Sequence, residues 1–300
     1  MRPADLATLV VMAALWGGSY LFIRIGAPAF GPVALMGARV ALAALVLWIA
    51  LRALGQRAAL RPYAGRLLVL GLLNAALPFT LVAAAELRLT ASLVAVLGAT
   101  VPLFGALLSA VFLRDRLTVR RGFGLLTGLL GVAVLTGWSP VTLDGTALAS
   151  IGATLLASLS YASAGVFSKR TLSGVAPATL ALGQQVGALA WLAVPSLLLL
   201  PDVPPPSSAV ASLAALAVLS TALAFVLFFR LLQRVGPTRT QTVTYIVPLF
   251  GMLWGSLFLG EEITGGMLAG FACIAVSMVL VNGIRIRIPF RRAEAVAACS

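Results

Sequence analysis

Apolar residues run through this chain in ten blocks, each long enough to cross a bilayer as a helix, which takes about 18–25 residues. The pattern predicts helices over residues 6–25, 32–51, 66–87, 91–113 and 121–137. Five more follow over residues 147–168, 177–200, 208–232, 237–259 and 266–282. The separators are short and rich in turn residues: Gly31-Pro32, Ser139-Pro140, Pro204-Pro205-Pro206 and Gly236-Pro237. None is long enough to hold a domain outside the membrane. The first apolar block continues into the 16–24 segment without a small-residue cleavage site, so it is expected to be a retained helix.

The pattern also repeats. Residues 101–118, VPLFGALLSAVFLRDRLT, recur as residues 247–264, VPLFGMLWGSLFLGEEIT, at an offset of 146 without a gap. At the same offset Ala76, Leu77, Phe79, Leu81 and Arg88 meet Ala222, Leu223, Phe225, Leu227 and Arg234. Gly37 and Val40 meet Gly183 and Val186, which sets Arg39 opposite Gln185. At an offset of 145, Trp16, Phe22 and Arg24 meet Tyr161, Phe167 and Lys169. A period near half the chain length predicts two equivalent halves of five helices: residues 1–140 and 141–284, with a tail over 285–300. Five crossings is an odd number, so the second half is expected to lie inverted in the membrane. The expected class is therefore an all-α polytopic membrane protein of ten transmembrane helices in two inverted five-helix repeats, an architecture of carriers whose substrate site lies between the halves.

Composition and charge agree. The chain is 61% hydrophobic and 10% charged, where a soluble domain is nearer a quarter charged. A net charge of +13 would suggest nucleic acid in a soluble protein. Here the basic residues crowd into alternate gaps between apolar blocks, which is the positive-inside pattern, and no nucleic-acid partner is expected. With the N-terminus in the cytoplasm, every Lys and Arg except Arg24, Arg39 and Arg88 falls on the inner side. Arg114, Asp115 and Arg116 then point inward and Glu261 and Glu262 outward, so the two copies of the repeat end in opposite charge. Both termini are placed in the cytoplasm, with Arg285, Arg287, Arg291 and Arg292 forming a basic tail. Histidine is absent, and of the two cysteines Cys273 lies inside an apolar block and Cys299 in the tail. That leaves no disulfide framework, no metal site and no cofactor to expect, and it argues against a membrane enzyme.

Several motifs resemble the EamA family of the drug/metabolite transporter superfamily. They are Trp16-Gly17-Gly18-Ser19, the second helix with Arg39, Ala85-Glu86-Leu87 with Thr90-Ala91-Ser92-Leu93, and Pro102-Leu103-Phe104. In the second half they are Val243-Thr244-Tyr245-Ile246-Val247-Pro248 and Leu259-Gly260-Glu261. Where the family often has Gly-Glu, this chain has Arg114-Asp115, which keeps the carboxylate and not the glycine. The resemblance implies a bacterial inner-membrane carrier, many of whose relatives export amino acids or related metabolites. It also implies a central cavity built mainly from the first, third, fourth, sixth, eighth and ninth helices.

Polar groups inside hydrocarbon are costly unless they face a partner or a wet cavity, so they mark candidate sites. Arg39 lies about seven residues, roughly 10 Å, below the outer end of its helix. It is read as holding a substrate carboxylate, gating the outer mouth, or pairing with Glu86. Glu86 is read as a gating residue or a proton-coupling carboxylate. Candidate substrate contacts are Trp16, Ser19, Asn74, Phe79, Thr100, Tyr161, Phe225 and Tyr245, because aromatic rings and neutral hydrogen-bonding groups suit a hydrophobic or aromatic amino acid. Gln184, Gln185, Thr80, Thr221 and Thr244 are further neutral donors or acceptors. Pro78, Pro102 and Pro248 each free a backbone carbonyl within a span and are expected to act as hinges. Gly124-xxx-Gly128, Gly251-xxx-Gly255 and Gly266-xxx-Gly270 read as close-packing surfaces, the last of them able to serve a dimer. Glu261 and Glu262 are expected to cap the last helix. The resulting expectation is an alternating-access exporter of small metabolites that works in the lipid bilayer as a monomer or homodimer. A multidrug carrier, a channel and a membrane enzyme are the alternatives, and the scarcity of buried carboxylates favours facilitated exchange over proton antiport.

Overall fold

The computed structural model describes residues 2–113, 118–137, 144–240 and 242–282. Arg114, Asp115, Arg116, the boundary at 140/141 with Pro140, and the basic tail over 285–300 lie outside the described residues. Within the described residues the chain forms ten helices. The first half holds α1 (Pro3–Phe30), α2 (Pro32–Ala53), α3 (Arg61–Ala85), α4 (Ala91–Phe112) and α5 (Val119–Gly137). The second holds α6 (Gly145–Thr171), α7 (Pro177–Leu198), α8 (Ser207–Val235), α9 (Val243–Leu259) and α10 (Gly265–Asn282). Eight are long and apolar enough to cross a membrane, and α9 and α10 are shorter apolar helices. A separate turn, Pro237–Thr240, precedes α9, which therefore starts later than its apolar pattern suggests.

Helix junctions follow from local chemistry. Gly31 (φ 74°) and Gly236 (φ 80°) take the left-handed backbone that other residues avoid, and each is followed by a proline that starts the next helix. The outer faces of α5 and α7 expose Phe123, Leu126 and Leu129, and Val194, Leu197 and Leu198. Such continuous apolar faces need lipid to cover them.

The packing is symmetric under exchange of the halves. Helix α1 lies on α9 and on α8, as α6 lies on α4 and on α3, while α2 pairs with α7 and α5 with α10. The same symmetry reaches the backbone. A π-helical turn interrupts α3 at Leu72–Ala76, and another interrupts α8 at Val218–Leu223, 146 residues on. Such turns leave carbonyls without their helical donor. In α3 the Leu73 carbonyl accepts from the Ser160 hydroxyl of α6 at 2.7 Å. In α8 the Leu216 carbonyl accepts from the Thr221 hydroxyl at 2.8 Å.

The matched prolines behave differently. Helix α4 breaks into Ala91–Gly98 and Val101–Phe112, just before Pro102, and the Thr100 hydroxyl bonds the Leu97 carbonyl across the break at 2.7 Å. Pro248 instead sits inside an uninterrupted α9. Pro78 lies two residues past the end of the π-helical turn of α3.

Glycines set the closest approaches. A Cβ at Gly131 would come within 2.9 Å of the Gly270 carbonyl, and one at Gly124 within 2.8 Å of Val281, so this small-residue surface joins α5 to α10 within the chain. Gly71 of α3 lies against the backbone of α7 at Gln184, Gly187 and Ala188.

Glu261 does not cap α10, contrary to expectation. Gly260 (φ 65°) turns the chain back toward α4, where the Glu261 carboxylate accepts from the Ala91 amide (2.8 Å), the Ser92 amide (2.9 Å) and the Ser92 hydroxyl (2.6 Å). Thr264 caps α10 in its place, accepting from the Met267 amide at 3.2 Å. The acid thus satisfies orphan N–H groups of the other half. At the same end Arg88 bonds Asp144 (2.6 Å), whose carboxylate also accepts from Thr146 and the Ala147 amide at the start of α6. Those donors, the Thr146 hydroxyl foremost, lower the Asp144 carboxyl to a pKa of about 2.

Candidate functional site

A chamber of about 770 Å³ runs between the halves. Its wall begins beside Ile23, Arg39 and Val82 and extends to Leu113, Arg121, Lys169 and Val281 at the ends of α4, α5, α6 and α10. All six helices expected to build the cavity contribute, joined by α2 through Arg39 and α7 through Gln184. At the opposite end the structure is packed shut: Ala27, Ala85, Glu86, Leu89, Ala91 and Ser92 are all buried.

The aromatic lining follows the repeat. Trp16 of α1 stands edge-on to Phe225 of α8, ring centres 6.1 Å apart. The equivalent pair, Tyr161 of α6 and Phe79 of α3, lies at 6.4 Å. Offset and edge-on rings of this kind leave faces open for a flat or apolar guest. Phe228 packs beside Trp16 at 5.6 Å.

Arg39 breaks the symmetry. Its guanidinium carbon lies 3.8 Å above the Phe79 ring centre and its Nε donates to the Thr221 hydroxyl at 3.0 Å. The residue is 4% exposed and on the chamber wall, with no carboxylate within ion-pair distance among the described residues. The expected pair with Glu86 does not form: Glu86 lies at the closed end, and among the described residues neither of its carboxylate oxygens is hydrogen-bonded. Arg24 meets the backbone carbonyl of Glu86, not its carboxylate. Sequence position put both Arg39 and Glu86 in the outer part of their helices but carried no information on the direction each faces. Gln185, the repeat partner of Arg39, is fully buried, and its amide has no hydrogen-bond partner among the described residues.

The π-helical turns deliver the polar anchors. Asn74, in the turn of α3, donates to Gln184 Oε1 of α7 at 2.6 Å. Thr221, in the turn of α8, holds Arg39 of α2. A wider turn aims these side chains across the interface where a regular helix would aim them elsewhere.

Of the expected substrate contacts, Trp16, Ser19, Asn74, Phe79, Tyr161, Phe225 and Tyr245 lie on the chamber wall. Thr100 is buried in the α4 break with its hydroxyl on Leu97, between wall residues Ala99 and Val101. Of the gating candidates, Arg39, Pro102 and Pro248 line the chamber, while Pro78 is buried behind Phe79 in sequence and Glu86 lies at the closed end. Sequence reasoning missed Tyr20, Ser220 and Phe228. Tyr20 was available, since Trp16, Tyr20 and Ile23 share one helical face by their spacing. Ser220 depends on the π-helical turn, which no residue pattern announced. Among the described residues the wall carries cations (Arg39, Arg121, Lys169) and no Asp or Glu.

A helical bundle of two exchangeable halves around a chamber that reaches one end defines a polytopic membrane protein built to bind a solute. Both halves match the EamA-like transporter family, over residues 5–137 and 148–283, and the chain belongs to that family and is a membrane transporter. It is similar to an uncharacterized transporter of Archaeoglobus fulgidus, 24% identical over 91% of this chain and 96% of the relative. It is 28% identical to the "Uncharacterized inner membrane transporter YedA" of Escherichia coli K12, over 91% of this chain and 89% of that protein. A Salmonella typhimurium protein named "Probable amino-acid metabolite efflux pump" is 27% identical over 95% of this chain and 97% of its own. A solved crystal structure shares the fold with a TM-score of 0.68 over 96% of this chain and 100% of its own, at 19% identity.

Proposed function

We propose that the protein exports small carboxylate-bearing metabolites with apolar or aromatic bodies, hydrophobic and aromatic amino acids foremost, across a bacterial inner membrane by alternating access. The observation that carries this reading is Arg39, a buried cation on the wall of an aromatic chamber without an acidic partner among the described residues. A desolvated guanidinium is stabilised by an anion that bonds it in two places. A substrate carboxylate supplies one, with the apolar body lying toward Trp16 and Phe225. The name of the Salmonella relative supports the amino-acid class. The charge bias supports cytoplasmic termini, so that the Lys169 and Arg121 end of the chamber opens to the cytoplasm and loads from there. Cationic drugs, the main rival cargo, meet no acid on the described wall and three cations.

Counterflow in proteoliposomes with labelled amino acids tests the proposal. Phenylalanine, tryptophan and leucine are expected to exchange saturably, and their decarboxylated amines to exchange poorly. Failure of every amino acid to exchange sinks the amino-acid version, and equal exchange of the amines sinks the role given to the carboxylate.

A further inference from the structure

The carrier reading leaves one buried ionisable group unused. Glu86 has no exposed surface, and among the described residues neither carboxylate oxygen has a hydrogen-bond donor. The groups that face it are Glu261 from the turn before α10, Arg24 and Tyr20 from α1, and Arg39 from α2. None of them satisfies it. Arg24 is bonded to the Glu86 backbone carbonyl, and Arg39 is engaged by Thr221 and Phe79. Glu261 repels a negative charge on Glu86 and already accepts three hydrogen bonds at the start of α4. Of two neighbouring carboxyl groups, one is then held by three donors and the other is buried without a donor or an ion-pair partner among the described residues. A carboxyl group so placed is stable only when it carries its proton.

We propose that the Glu86 carboxyl is a proton-binding site, occupied while the α3–α4 end of the chamber is closed and vacated when that end opens. The proposal rests on the carrier reading, because it requires that end to open. Closing forms the O–H bond with a proton taken from water at that face, and opening returns the proton to the same face. No proton crosses the membrane, so the step makes access pH-dependent without making the carrier a pump. The same closure seats Glu261 on Ala91 and Ser92. Opening breaks that contact and exposes both acids to water together. The sign follows from linkage. The closed state binds one more proton than the open state, so acid at that face favours closure and alkali favours opening. One proton moves the ratio of the two states by at most about tenfold per pH unit.

The test uses the full-length protein in liposomes with Cys273 and Cys299 replaced by serine. Spin labels go on Leu87→Cys, in the α3–α4 turn, and Ile263→Cys, before α10; both side chains are exposed, at 47% and 41%. Electron–electron distance measurements then read the opening of this end directly. Raising the pH is expected to shift the population from the short to the long distance by up to about tenfold per unit. Glu86→Gln, an isostere of the neutral acid, is expected to hold the short distance at every pH. A pH response in E86Q equal to that of the parent overturns the proposal, as does a flat response in the parent while saturating phenylalanine still shifts the distances. If neither pH nor any amino acid produces a second distance, the carrier reading fails as well. Should E86Q not fold, infrared spectra of the unsubstituted protein decide the matter. A protonated carboxylic acid band must be present in the closed form and lost on opening, and its absence from the closed form overturns the proposal.

Discussion

Replacing Arg39 by glutamine should weaken carboxylate-bearing substrates by about 10- to 150-fold in apparent affinity, with the chamber otherwise intact. A hydrogen bond to a charged group contributes about 1.5–3 kcal/mol, and about 1.4 kcal/mol is a factor of ten. The substitution puts the same residue type at positions 39 and 185, so the halves become alike where they now differ. Lysine should restore only part of the loss. It keeps the charge but not the planar fork, and it stacks less well on Phe79, which the guanidinium carbon approaches to 3.8 Å. Counterflow of phenylalanine against its amide separates the effects. The acid should lose affinity in R39Q while the amide, which has no carboxylate, should change little. Equal losses for both would mean that Arg39 holds the wall together and does not read the substrate.

The largest effect on stability is expected at Gly71. A Cβ there would fall on the α7 backbone at Ala188 and Gly187 and lie 2.8 Å from the Gln184 carbonyl oxygen. The reciprocal glycine, Gly187, lies as close to the Leu67 carbonyl. Backbone cannot yield as a side chain end can, so α3 and α7 must separate. Gly71→Ala should cost about 1–3 kcal/mol and Gly71→Val more. The shift would also part Asn74 from Gln184, whose bond spans the same interface at 2.6 Å. Gly152→Ala is the control. No atom outside its own helix backbone lies within 4 Å of the added Cβ, and alanine favours the helix. Thermal unfolding in detergent should show a lowered midpoint for the Gly71 variants and an unchanged or slightly raised one for Gly152→Ala.

The spans and the duplication were legible because both rest on features that sequence carries directly: apolar length and repeated residues. The repeat also matched Trp16 with Tyr161 and Phe79 with Phe225 as equivalent positions, without saying which rings touch. Trp16 with Phe225 and Tyr161 with Phe79 are related by offsets of 145 and 146 and meet in equivalent ways. What escaped reading was backbone register. The turns at Leu72–Ala76 and Val218–Leu223 shift hydrogen bonding by one residue and carry no compositional mark, although they begin at positions matched by the 146 offset. Pro78 follows the first, yet Ala224 follows the second, so proline is not their signal. Long-range partners escaped for a related reason. Glu261 lies three residues before Thr264 and looked like a cap for α10, but its donors are 169 and 170 residues away on α4. Arg39 likewise takes a hydroxyl 182 residues distant and not the Glu86 carboxylate. Hydrophobic periodicity fixes how deep a residue sits; which neighbour it meets depends on how the two halves are fitted together.

The central claim is that the chamber between the halves binds a metabolite through its carboxylate at Arg39. Solving the structure with phenylalanine bound tests it most directly. The account expects ligand density between Trp16 and Tyr161, with the carboxylate within about 3 Å of the Arg39 guanidinium. Ligand density elsewhere in the protein, or an amino acid in the chamber with its carboxylate turned toward Lys169 and Arg39 left bare, would contradict it.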